Sequence, residues 1–308
     1  MKKWVLKAIV QKGISYMPGG RSINYLFQKY VTKGVDLSDE YFFDRLCHAR
    51  EHIESYEKLS PNRPLIITLE IGTGWYPVVP ISLFLSGVEN IYSIDITALL
   101  NKKFLKVSIG RVIDASNNGE LVRYIKVIPE RLTELKKVYA DYDKMEFTEI
   151  LKTINLTYVL KDARNSGFPD KYFDLISSNN TFEHIYPDIL EGILKEFKRI
   201  VKQGGIMSHS IDMSDHFAHF DKSISVFNFL QYTDSQWKMI DNSIQPQSRL
   251  RVTEYKDMYK QLGIPITTEK LVRGNIDEIK KLELSEKYTS DSLDDIAVTH
   301  CHFASLMP

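Results

Sequence analysis

The stretch Leu65 to Asp95, LIITLEIGTGWYPVVPISLFLSGVENIYSID, constrains the fold more than any other part of the chain. Leu65, Ile66, Ile67, Leu69 and Ile71 form a nearly continuous, β-branched apolar run, the pattern of a strand buried on both faces of a parallel sheet. Gly72 and Gly74 interrupt it. Pro77 and Pro80 suit the first turn of a helix, where a missing N–H costs nothing. The segment Val78 to Leu85 continues that helix until Ser86-Gly87. A second short strand, Asn90 to Ile94, delivers Asp95 at its end.

Strand, glycine turn, helix and strand together make a nucleoside-binding arrangement. Glycines at the turn let the backbone approach a ligand and leave the N–H groups of the helix start free to donate. An acid at the end of the next strand can accept both hydroxyls of a ribose. Asp95 stands 25 residues after Glu70, which makes the pattern moderately specific.

Glu70-Ile-Gly-Thr-Gly74, the strand ending in Asp95, Lys161-Asp162-Ala163 and the segment Phe173 to His184 together resemble a class I S-adenosylmethionine-dependent methyltransferase. The resemblance extends over about residues 63–205. It implies an α/β, doubly wound, Rossmann-like sheet of seven mostly parallel strands, with S-adenosylmethionine as cofactor and S-adenosylhomocysteine as product. Implied cofactor contacts are Glu70, Gly72, Thr73 and Gly74 in the turn, then Asp95 and Ile96, Asp162 and Ala163, and Asn179. Where the family often has a third glycine this chain has Tyr76, preceded by Trp75. A dinucleotide needs its closest backbone approach there, so an NAD-dependent oxidoreductase is the less favoured enzyme. A scaffold protein that kept the fold without the chemistry is the other alternative. Ser178-Asn-Asn-Thr181 stands where enzymes that methylate base amines carry an Asn-Pro-Pro-Tyr-like sequence, so the resemblance implies a small-molecule acceptor.

The 308 residues can bury a large core, and 40 basic against 40 acidic residues give no global attraction to nucleic acid. Two isolated cysteines, Cys47 and Cys301, support neither a disulfide framework nor a thiolate metal site. No apolar run is long enough to span a membrane, and a reducing cytoplasm fits best.

The expected organisation is an N-terminal helical region, 1–62, and a methyltransferase domain, 63–308, with a helical insertion over about 99–155 and an acceptor-side segment over about 212–251. Residues 1–35 carry seven Lys or Arg and no acid. Near the start, Lys3, Lys7 and Gln11 form a narrow polar stripe on an otherwise apolar helix. An arm packed on the domain or on a second subunit, with that stripe in solvent, is favoured over a membrane-surface helix. Helices are expected over Ser22 to Val31 and Ser38 to Leu59. His48 and His52 on the latter read as surface residues. The insertion either covers the cofactor or acts as a solvated spacer.

Strands are expected at Thr157 to Leu160, Phe173 to Ser177 and Ile206 to Ile211, with a helix beginning at Glu183-His184 and ending at Gly204-Gly205. His184 could act as a general base or cap and orient the helix start near the cofactor, and it is a candidate substrate-binding residue. Past the fifth strand, His209-Ser-Ile-Asp212-Met-Ser-Asp215-His216-Phe-Ala-His219 concentrates imidazoles and carboxylates at the sheet edge where α/β folds hold ligands. His216 or His219 is the candidate base for an alcohol acceptor, with Asp212 or Asp215 as its orienter. A Mg or Zn site and a polar capping loop are the rival readings of the same residues. Ser223 to Trp237 suits an acceptor wall or ordinary core. Arg249 and Arg251 could clamp a phosphate or carboxylate, although surface arginines are commoner. Val252 to Leu262 reads as a helix, Thr267 to Val272 and Ile296 to Leu306 as the last strands, and His300 and His302 as structural. The run from Ile206 to Arg251 is also loosely similar to bacterial methyltransferases found with polysaccharide-building enzymes, which implies a sugar-linked hydroxyl as acceptor. A homodimer is left open.

Overall fold

The structure, a computed structural model, describes residues 2–17, 36–243 and 245–308. The helix expected over Ser22 to Val31 lies outside them.

Among the described residues, two helices precede the sheet, α1 (Lys3–Ser15) and α2 (Asp39–Leu59). Ser38 caps α2 by accepting from the Tyr41 N–H, with Asp39 and Glu40 in the first turn, where carboxylates oppose the positive end of the helix. The nucleating unit follows as expected: β1 (Ile67–Ile71), α3 (Val78–Leu85) and β2 (Asn90–Asp95). Every residue of α3 is buried, because it lies between the sheet and further helices. Those are α4 (Lys102–Asn117), α5 (Pro129–Asp141) and α6 (Phe147–Thr153). The chain then runs through β3 (Leu156–Leu160), β4 (Phe173–Asn179), α7 (Pro187–Ile200) and β5 (Val201–Asp212). It ends with α8 (His216–Phe220), α9 (Asp234–Ile240), α10 (Val252–Gln261), β6 (Thr268–Arg273) and β7 (Val298–Leu306).

The seven strands form one sheet in the order β3-β2-β1-β4-β5-β7-β6. The first five are parallel and β7 runs antiparallel to both neighbours. This is the Rossmann-like α/β sheet the sequence led us to expect. The connection reverses direction between β1 and β4, so a crevice opens at their carboxyl ends, where such sheets bind ligands. Glu70, Asp95, Asn179 and Asp212 all reach that edge, and the antiparallel register brings His300 opposite Asp212.

Core packing divides by face. Phe42 and Leu46 of α2 join α3 and Phe104, Leu105, Ile109, Leu135 and Ile150 on one side. On the other, Leu190, Ile193, Leu194, Phe197 and Ile200 form the single apolar stripe of α7 and meet Tyr255 and Tyr259 of α10. A third cluster joins Trp4 and Ala8 of α1 to Phe217, Phe227, Phe229 and Trp237.

Several boundaries differ from the sequence expectation. Glu183 and His184 lie in a separate helical turn, Phe182–His184, and α7 starts only at Pro187, whose fixed φ suits a first helical position. Gly204 and Gly205 do not end a helix. They lie inside β5, where Gly204 at φ +71° accommodates the register shift against β4. Helix α1 packs on the domain through Trp4, Ala8 and Ile14, and of the expected solvent stripe only Lys3 is exposed. Gln11 is buried and its Nε2 donates to Gln245 Oε1 at 3.2 Å, and Lys7 Nζ lies 5.2 Å from the Phe220 ring centroid, while Leu6 and Ile9 point outward at 53% and 57% exposure. The surface that α1 meets offers aromatic faces and amides, which suit an amphipathic cation and a glutamine. No helix among the described residues is long and apolar enough to cross a membrane.

Candidate functional site

The glycine turn after β1 has the backbone that glycine permits and other residues resist. Gly72 sits at φ +76° and Gly74 at φ +69°. A Cβ on Gly72 would come within 2.5 Å of the Thr181 side chain, so the turn is closed on that side. At Gly74 a Cβ would meet nothing within 4 Å, so the backbone there faces open space. Tyr76 leaves this approach clear because its ring packs into the core, edge-on to Phe104 at 5.1 Å.

Glu70 is buried behind the turn. Its Oε2 accepts from Thr73 Oγ1 and its Oε1 from Asn179 Nδ2 at 2.7 Å. Burial raises its carboxyl to about 7, against the lowering effect of the Thr73 and Asn179 hydrogen bonds. Asp95 is also raised to about 7, by burial and then by the charge of Glu70. Its Oδ2 is buried and has no hydrogen-bond partner among the described residues.

These shifts have a consequence for pH. A carboxyl held near 7 when folded and near 3.8 when unfolded retains a proton in the folded state that the unfolded chain has lost. Its contribution to stability therefore falls between about pH 4 and pH 7. Buried His52 and half-buried His184, lowered to about 3 and about 4 by desolvation, work in the opposite direction. A difference measurement isolates the acid. Relative to wild type, ligand-free Asp95→Asn should gain stability as pH rises from about 5 to about 8; thermal unfolding of both proteins checks this, and a constant difference would contradict it.

The remaining implied cofactor positions spread along the same edge. Thr73 is buried, whereas Ile96 is 74% exposed beyond β2. Ala163 is buried, and Asp162 is tied by its carboxylate to Arg164, with Oδ2 2.6 Å from Nη2. Asn179 has a second role absent from the sequence reading, because its Oδ1 accepts from His52 Nε2 at 2.8 Å. The other ring nitrogen of His52 is 2.7 Å from Ser208 Oγ. His52 is therefore a buried strut from α2 to the strand ends, and His48 is buried beside it. Neither is a surface residue, since α2 lies across β4 and β5 and meets their polar side chains. Arg45, one turn earlier on α2, donates from Nη1 to the Asn179 carbonyl at 3.1 Å.

A second set of polar groups gathers around Asp212. His216 Nε2 is 3.4 Å, His300 Nε2 3.5 Å and His219 Nε2 3.7 Å from its carboxylate. Burial alone would raise Asp212, but the facing imidazoles hold it well below the usual carboxylate range. His184 packs against His216 with ring centroids 4.8 Å apart. Asp215 is placed apart from this set. It caps α8 by accepting from the Phe217 N–H at 2.8 Å, and it accepts from Asn228 Nδ2 at 3.0 Å.

The terminal guanidinium nitrogens of both arginines are engaged elsewhere. Arg249 donates to the carbonyls of Phe229 and Tyr232 and pairs with Asp234. Arg251, fully buried, donates to the carbonyls of Met213, Ile296 and Val298. Neither guanidinium faces the site, which corrects the expected clamp. Sequence reasoning missed Arg45, His52, Glu183 and His300 as parts of this region. His300 could not have been found locally, because it meets Asp212 only through the β5–β7 register.

Residues 114–208 match the family described as methyltransferase domain. No curated protein matches the chain. Among solved structures, a chain of a Haloferax volcanii complex containing the Trm112 methyltransferase activator is similar at 14% identity and TM-score 0.47, covering 92% of this chain and 97% of its own. Haemonchus contortus phosphoethanolamine N-methyltransferase 2, in complex with S-adenosyl-L-methionine, is similar at 13% identity and TM-score 0.45, covering 92% of this chain and 59% of its own. Likeness at this level carries no functional argument, so the reading rests on the family match and on the residues themselves. The matched residues, 114–208, lie within the seven-stranded Rossmann-like sheet.

Proposed function

We propose that the chain is an S-adenosylmethionine-dependent methyltransferase that transfers the methyl group to a hydroxyl oxygen of a small molecule or sugar-linked precursor. The observation that carries the cofactor assignment is Asp95, whose Oδ2 is buried without a partner at the end of β2. A ribose hydroxyl would satisfy that oxygen, and open backbone at Gly74 leaves room beside it. Arg45, Asn179 and Glu70 brace the floor of the site through their mutual contacts. When bound, S-adenosylmethionine supplies a methyl group made electrophilic by its sulfonium.

The Asp212 region supplies the acceptor side. His219 has a 57% exposed side chain, and its Nε2 lies 3.7 Å from Asp212 and 3.1 Å from Ser214 Oγ. It is the imidazole placed to meet an incoming hydroxyl, with Asp212 orienting it. His219 would take the proton of the acceptor hydroxyl as that oxygen is methylated by the bound cofactor, whose sulfur would keep the electron pair of the broken carbon–sulfur bond. Methyl-labelled cofactor offered with a panel of sugar and small-alcohol acceptors tests the activity. On any acceptor that takes label, His219→Ala should slow transfer by about 100-fold or more while leaving S-adenosylhomocysteine affinity unchanged. An unchanged rate would remove His219 as the base.

A further inference from the structure

Glu183 is a buried acid that the methyl-transfer reading does not use. It is 3% exposed, and neither carboxylate oxygen has a hydrogen-bond partner among the described residues. A buried carboxyl without partners either keeps its proton or takes a cation or a donor. Its ligand atom lies within 4.8 Å of those of His184 and His216, and the three are mutually that close. We propose that Glu183, His184 and His216 bind a first-row transition-metal cation, with Asp212 at the edge of the site.

The surroundings have the features of a prepared metal site. His184 Nδ1 donates to the Pro246 carbonyl at 2.7 Å. That bond fixes the tautomer and leaves Nε2 as a lone-pair donor, the usual outer-shell arrangement of a ligating histidine. The Ser248 N–H donates to the Glu183 carbonyl at 2.8 Å, so one short segment holds both residues of the turn. The same segment reaches the other side, where Gln247 Nε2 donates to the Ser214 carbonyl and the Ser214 N–H donates to Asp212 Oδ1. His216 Nε2 is also buried without a partner, and its 3.4 Å spacing from Asp212 Oδ2 is close to the edge of a tetrahedron with ligands at about 2.0–2.1 Å from the ion. Two imidazoles and a carboxylate favour zinc, iron, cobalt or nickel over magnesium or calcium, which prefer all-oxygen sites.

The binding site stands on this geometry alone, and its use rests on the methyl-transfer reading. An ion here would lie beside His219 and could hold the acceptor oxygen, lowering the proton affinity of the hydroxyl that His219 deprotonates. A chelated and dialysed preparation of the full chain, titrated with Co2+ and Zn2+, tests the site. The expected result is one ion per chain, with Co2+ absorption typical of mixed nitrogen and oxygen ligation. Glu183→Gln and His184→Ala should weaken Zn2+ by more than the roughly 10–100-fold lost with an outer-shell partner. Asp95→Ala should lose S-adenosylhomocysteine yet keep the metal, which separates this proposal from the cofactor assignment. Absence of stoichiometric binding, a Co2+ spectrum without nitrogen ligation, or undiminished binding by either ligand variant would overturn it. Should Glu183→Gln not fold, the wild-type spectrum and His184→Ala decide alone.

Discussion

Asp95→Ala is expected to weaken S-adenosylhomocysteine binding by about 100-fold or more without unfolding the protein. At the end of β2, Asp95 is buried and its Oδ2 has no hydrogen-bond partner among the described residues. A hydrogen bond to a charged group contributes about 1.5–3 kcal/mol, and a ribose offers two hydroxyls, so losing both contacts removes about 3 kcal/mol or more, and each 1.4 kcal/mol is about tenfold. Stability should not suffer, because burial and the charge of Glu70 already oppose ionisation of Asp95. Calorimetric titration of wild type and variant, with melting curves of both, checks the two halves. An affinity within about threefold of wild type would mean that the carboxylate does not meet the ribose.

Arg251→Met should have the largest effect on folding, a loss on the order of 3 kcal/mol and a fall in Tm of roughly 4–6 °C. Arg251 is fully buried and spends its guanidinium on the carbonyls of Met213, Ile296 and Val298. Met213 follows β5 and Val298 opens β7, so one side chain ties the two strands at the acceptor edge. Among the described residues no carboxylate pairs with it, and burial lowers its pKa to about 10. Methionine keeps most of the volume and leaves three carbonyls without a donor, which isolates the hydrogen bonds from packing. Unchanged unfolding in urea would show that water or backbone adjustment satisfies those carbonyls.

What the sequence made legible was local. The strand, glycine turn, helix and acid between Leu65 and Asp95 are contiguous, and their apolar periodicity and φ requirements do not depend on distant partners. Asn179 was placed by resemblance, and the structure joins it to Glu70 directly. The failures share a cause in long-range pairing. His52 looks like any helical surface histidine until β4 and β5 bring Asn179 and Ser208 beneath it. Gly204-Gly205 resembles a helix end, yet α7 passes straight into β5 at Val201 and the glycines are absorbed by the sheet. Arg249 and Arg251 offered charge without showing which carbonyls would claim it. The Asp212, His216 and His219 group lay within eight residues and was found, as was His184, whereas Glu183 and His300 join it from a different turn and strand.

The account stands or falls on the cofactor. Calorimetric titration of the purified chain with S-adenosylmethionine and S-adenosylhomocysteine, with NAD as control, tests it most directly. Saturable binding of the first two at one site per chain, with none of NAD, is the expected result. Binding of NAD, or of none of the three, would contradict the assignment and leave the glycine turn with an architectural role.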